Sequence, residues 1–142
     1  MSYDQNLKDL TSKPDEYYTQ TRPEMADLIP KTTKTILDVG CGTGLFSEQL
    51  KKDFNLEVWG IELDGKTAEI ARKKIDKVLI GDAFTLLNEL PDKHFNCIVF
   101  NDILEHLIDP FSLLLKMKAK LSPDGVIVCS IPNVRYFFNL KN

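Results

Sequence analysis

Leu37-Asp38-Val39-Gly40-Cys41-Gly42-Thr43-Gly44 is the stretch that decides how this 142-residue chain is read. The apolar run Thr35-Ile36-Leu37-Asp38-Val39 predicts a short strand. The spacing of Leu45, Phe46, Leu50 and Phe54 predicts a helix directly after the glycines. Glycines at 40, 42 and 44 permit positive φ and put no Cβ between backbone and ligand. The helix start brings N–H groups that have no intrahelical partner. A glycine-rich turn in that strand-to-helix context points to ligand binding.

Outward from the turn, strand and helix patterns alternate. Leu56 to Ile61, Val78 to Ile80, Phe95 to Phe100 and Gly125 to Ile131 read as strands. Lys66 to Ile75, Phe84 to Leu90 and Phe111 to Leu121 read as helices, with Asp64 an N-cap for the first and Asp109-Pro110 opening the last. The strands are short and continuously apolar, which predicts burial on both faces and a parallel sheet between helices. Right-handed crossovers then give a three-layer, doubly wound α/β sheet in the order 3-2-1-4-5. Its ligand lies over the carboxyl ends of the strands, where the order reverses. Residues 1–33 are polar and read as a helical or cover segment; residues 34–142 read as the binding domain.

The glycine spacing separates two ligand classes. A dinucleotide fingerprint needs its third glycine at position 45, which is Leu. The pattern here is GxGxG, and Asp38 ahead of it would repel a pyrophosphate while favouring an ammonium or sulfonium group. A nucleoside joined to an amino acid fits better. Glu62, ending the second strand, can accept hydrogen bonds from both ribose hydroxyls. In Gly81-Asp82-Ala83-Phe84, Asp82 can accept from an adenine amino group, cap the following helix, or do both.

LDVGCGTG (37–44), the acid in GIELD (60–64), GDAF (81–84), FNDILEHLIDP (100–110) and LSPDGVIVCSIPN (121–133) together resemble the successive motifs of class I, Rossmann-like S-adenosylmethionine-dependent methyltransferases. The wording of LEHL and SIPN is most similar to the small-molecule branch. The resemblance implies S-adenosylmethionine as cofactor, S-adenosylhomocysteine as product and a small-molecule methyl acceptor. It implies that Gly40, Cys41 and Gly42 lie along the methionine part, with Asp38 and Gly44 also among the cofactor-binding residues, and that Glu62 and Leu63 meet the ribose. Gly81, Asp82 and Ala83 would meet the adenine, and Asn101 and Asp102 would lie near the methionine ammonium and the methyl group. Tyr17, Tyr18 and Arg22 either close over the cofactor or anchor the segment to the domain. His106 is the one candidate general base, with pairing to Glu105 as the structural alternative.

A net charge of −3 gives no basic footprint for nucleic acid, and no apolar run approaches the roughly 20 residues that span a bilayer. Cys41, Cys97 and Cys129 are widely spaced, without CxxC or metal-ligand spacing, so buried free thiols, no metal and a cytoplasmic setting are expected. Complete members of the family have seven strands, and this chain reaches Asn142 soon after the fifth. A domain incomplete at its C-terminus is therefore expected, with the fifth strand's edge covered by the aromatic segment NVRYFFNL (133–140) or by a second copy in a homodimer. Two other functions stay open: a module that holds the cofactor without catalysis, and a nucleotide-cofactor reductase.

Overall fold

The computed structural model describes residues 22–131 and 136–141. The strands are β1 (Thr35–Val39), β2 (Glu57–Glu62), β3 (Lys77–Ile80), β4 (Phe95–Asn101), β5 (Leu121–Ile131) and β6 (Tyr136–Lys141). They form one sheet in the order β3-β2-β1-β4-β5-β6. The first five strands pair in parallel, as the sequence predicts, and β6 runs antiparallel to β5.

The continuous apolar strands are explained by the two cores. Ile36, Val58, Cys97, Val99, Val126 and Val128 point into one, and Leu37, Ile61, Ile98, Phe100 and Ile127 point into the other. Neighbours along a strand face opposite sides, so burial of both sides demands apolar residues at every position. Helices α1 (Pro23–Ala26), α2 (Leu45–Phe54) and α3 (Gly65–Arg72) cover the first face through Met25, Leu50, Ala68 and Ala71. Helices α4 (Ala83–Leu86) and α5 (Pro110–Met117) cover the second through Leu86, Leu113 and Met117. Each large side chain buried this way contributes roughly 1.5–3 kcal/mol. Met25 and Ile29 are buried in the first core, so residues 22–33 are packed onto the sheet.

Three helices end earlier than their periodicity predicts; α4 stops at Leu86, where a 3-10 turn (Leu87–Glu89) takes over. The α3 helix stops at Arg72 because Asp76 must pair with β2: its N–H donates to the Val58 carbonyl at 3.0 Å and its carboxylate accepts the Val58 N–H at 2.7 Å. The α5 helix gives way to a 3-10 turn at Lys118–Lys120, and Leu121 already belongs to β5, buried opposite Phe95. Asp64 and Asp109 cap their helices as expected, accepting from the Thr67 and Ser112 N–H groups at 2.9 and 3.1 Å.

The sixth strand goes beyond the five predicted. Of the two coverings open to the β5 edge, the chain's own aromatic segment is the one seen, with Tyr136 opposite Ile131 and Lys141 opposite Val126. It satisfies a row of β5 backbone groups that would otherwise form an open edge.

Candidate functional site

Because β1 to β5 are parallel, their carboxyl ends bring together residues far apart in sequence. The loop Gly40–Gly44 follows β1, Glu62 and Leu63 end β2, Gly81 to Ala83 follow β3, Asn101 and Asp102 end β4, and Ser130 lies near the end of β5. The site therefore straddles the point where the chain reverses from β3-β2-β1 to β4-β5.

The loop's backbone donors are used within the protein. The Gly40 and Cys41 N–H groups both donate to the Ile61 carbonyl, at 2.8 and 2.9 Å, and the Gly44 N–H donates to the Cys41 carbonyl at 3.0 Å. The Gly42 N–H donates to Glu62 Oε2 at 2.9 Å, and the Asp64 N–H to Glu62 Oε1 at 3.3 Å. A phosphate needs such donors free; here they fasten the loop to β2 and orient the Glu62 carboxylate. A carboxylate is acceptor-only, the chemistry that receives hydroxyl donors. Gly40 has a φ of +75°, which favours glycine, and a Cβ there would stand 2.3 Å from Ile103 Cδ1 and displace that side chain. Gly60, inside β2, makes room for Cys41, whose Sγ would lie 2.6 Å from an added Cβ.

Beneath the loop, Asp38 is buried. Its Oδ2 accepts the Ser47 hydroxyl at 2.7 Å, while its Oδ1 has no hydrogen-bond partner. Burial pushes this carboxyl up to about 6; the Ser47 bond opposes the shift and the Glu62 charge adds to it. Burial likewise raises the Cys41 thiol, with the Asp38 and Glu62 charges adding to the effect, so this cysteine is an inert packing group.

Across the site, Asp102 adopts a left-handed backbone with φ +54° and is buried. One of its oxygens accepts the Ser130 hydroxyl at 2.7 Å and the other pairs with the Arg22 guanidinium. Arg22 also pairs with Glu24. Burial alone would lower the Arg22 pKa, but these two carboxylates outweigh it and raise it.

The other predicted residues are placed as follows. Asp82 caps α4, accepting the Thr85 N–H at 3.1 Å, and Ala83 beside it is buried. Leu63 is 59% exposed, an apolar side chain at the rim. His106 lies in a 3-10 turn (Leu104–His106) after β4, its Nε2 3.5 Å from Glu105 Oε1. Tyr17 and Tyr18 lie outside the described residues. Among the described residues, no group of three or more His, Cys, Asp or Glu side chains converges as a metal site, and no helix is long and apolar enough to cross a membrane. Sequence reasoning missed Ser47, Ile103 and Ser130. The lone hydroxyl of Ser130 near the carboxyl end of the apolar run GVIVCSI is the one signal that could have found it.

A family profile described as "Methyltransferase domain" matches residues 10–141. A ubiquinone biosynthesis O-methyltransferase from Actinobacillus pleuropneumoniae is 33% identical over 109 residues, spanning 70% of this chain and 46% of the relative. A malonyl-[acyl-carrier protein] O-methyltransferase from Halalkalibacterium halodurans is 26% identical over 116 residues, spanning 77% of this chain and 43% of the relative. The crystal structure of a SAM-dependent methyltransferase from Archaeoglobus fulgidus superposes with a TM-score of 0.71 at 26% identity, covering 94% of this chain and 60% of that one. The chain thus spans about half the length of these curated relatives.

Proposed function

The chain belongs to the methyltransferase domain family, and from that premise we propose that it binds S-adenosylmethionine at the carboxyl edge of its sheet and transfers a methyl group to a small-molecule acceptor. The observation that carries this reading is the bond from the Gly42 N–H to Glu62, with the neighbouring loop amides spent on Ile61. A turn whose Gly40, Cys41, Gly42 and Gly44 amides are spent within the protein, beside carboxylate side chains, suits a ligand bearing hydroxyls, an amino group and a positive sulfur. It does not suit a pyrophosphate.

When bound, S-adenosylmethionine supplies a methyl carbon on a positively charged sulfur, activated for in-line displacement by an acceptor. The protein's part is then mostly positioning. Glu62, held by two backbone donors, receives the ribose hydroxyls. Asp82, Ala83 and the exposed Leu63 receive the adenosine, and Asn101 and Asp102 receive the amino group. Asp38 adds negative charge beneath the loop. His106, whose Nε2 faces Glu105, is the residue to take a proton from an acceptor hydroxyl at its other ring nitrogen, Nδ1. The curated relatives are named as O-methyltransferases, of ubiquinone biosynthesis and of malonyl-[acyl-carrier protein], which supports an oxygen acceptor. The buried free thiols Cys41, Cys97 and Cys129 support a reducing, cytoplasmic setting.

Calorimetric titration with S-adenosylhomocysteine and, in parallel, a nicotinamide dinucleotide tests this. We expect binding of the first only, weakened about tenfold or more in Glu62→Gln, the scale for losing a hydrogen bond to a charged group. Binding of the dinucleotide alone, or no effect of Glu62→Gln, would overturn it.

A further inference from the structure

We infer that Ser130 is a positioning residue that aims the Asp102 carboxylate at a cationic group of the ligand, an inference that rests on the cofactor reading above. Ser130 sits near the end of β5, opposite Asn101 in the sheet register, and is buried. Its Oγ accepts the Asp102 N–H at 3.2 Å and donates to Asp102 Oδ1 at 2.7 Å. The two bonds clamp both the backbone and the side chain of one residue. That residue needs a clamp, because a left-handed backbone is unfavourable for any residue with a Cβ, even though aspartate tolerates it better than most.

The consequence is chemical. With Oδ1 tied to Ser130, Asp102 presents Oδ2, and Oδ2 carries a cation: the Arg22 guanidinium. Arg22 Nη2 also reaches Ser130 Oγ at 3.4 Å. The turn is secured further by Ile103, whose side chain fills the space over Gly40. The cation-accepting oxygen of Asp102 is thereby fixed relative to the glycine loop. An ammonium group on a ligand lying along that loop takes the place of Arg22 on a carboxylate already aimed, so the side chain itself needs no ordering at binding.

A hydroxyl that aims Asp102 at an ammonium affects only ligands that carry one. The test titrates the unmodified chain, Ser130→Ala and Ser130→Cys with S-adenosylhomocysteine and with the same molecule lacking its amino group. Ser130→Cys keeps the volume while replacing the hydroxyl by a weak donor, and so covers a folding defect in the alanine variant. Both variants should lose about five- to twentyfold in affinity for S-adenosylhomocysteine, the scale of one or two hydrogen bonds, and less than about twofold for the deaminated ligand. An equal loss for both ligands, or no loss for either, would overturn the inference while leaving the cofactor reading intact. Failure of the unmodified chain to bind either ligand would remove the cofactor reading and this inference with it.

Discussion

Asp38 lies in the middle of a sheet covered on both faces, with one oxygen on Ser47 and the other unpartnered, and that geometry has a measurable consequence. Its carboxyl titrates near 6 in the folded chain against about 3.9 in an unfolded one. Between those values the folded state binds more protons. The stabilisation from protonated Asp38 is therefore complete below about pH 4 and is lost as pH rises through 6. Two units correspond to about 3 kcal/mol as an order of magnitude. In Asp38→Asn, which retains an acceptor for Ser47, urea unfolding should show this pH dependence removed and stability at pH 7 raised. An unchanged slope between pH 4 and 7 would contradict the burial account.

Gly40 offers a second residue-level test. Alanine there meets both a positive φ and Ile103, and should cost about 2–3 kcal/mol of unfolding free energy. Adding Ile103→Ala to Gly40→Ala should relieve the steric part and leave the backbone part. A double variant no more stable than the single one would show that contact with Ile103 is not the cause.

Among the elements, α4 carries two demands on one residue. Asp82 caps the helix and, on the proposed function, also receives the adenine. Serine caps about as well as aspartate but is too short to reach a ligand. Asp82→Ser should therefore leave the unfolding free energy within about 0.5 kcal/mol of the parent, while affinity for S-adenosylhomocysteine falls about tenfold. Equal losses in both would mean that Asp82 is only a cap. Element identity was legible in the sequence because both faces of the sheet are buried: TILDV, FNCIVF and GVIVCSI could not be mistaken for amphipathic helices. Element ends were less legible. The stop of α3 depends on Asp76 pairing with Val58, eighteen residues earlier, and no local pattern records a partner at that distance. The loop and Glu62 were legible because glycine spacing and a strand-end acid are local features. The contact of Ser130 with Asp102 was not, since it arises only when β4 and β5 lie side by side.

For the molecule as a whole, β6 closes the sheet on the β5 side. A chain ending at residue 135 should expose the β5 edge and associate with rising concentration in light scattering, whereas the full chain should not associate through that edge. Identical behaviour of the two would show that β6 does not protect the edge. The assembled molecule also explains the charge pattern of the site. Parallel pairing puts the ends of β1, β2 and β4 and the turn after β3 on one rim, so Asp38, Glu62, Asp82 and Asp102 share a site with Arg22 as their counterweight. The measurement that tests this arrangement most directly is amide chemical-shift mapping of the isotope-labelled chain during titration with S-adenosylhomocysteine. The account predicts saturable shifts concentrated at residues 40–44, 62–64, 81–83 and 101–103, with the opposite end of the sheet around His94 and Asn96 unmoved; shifts centred away from that rim, or none at saturating ligand, would contradict it.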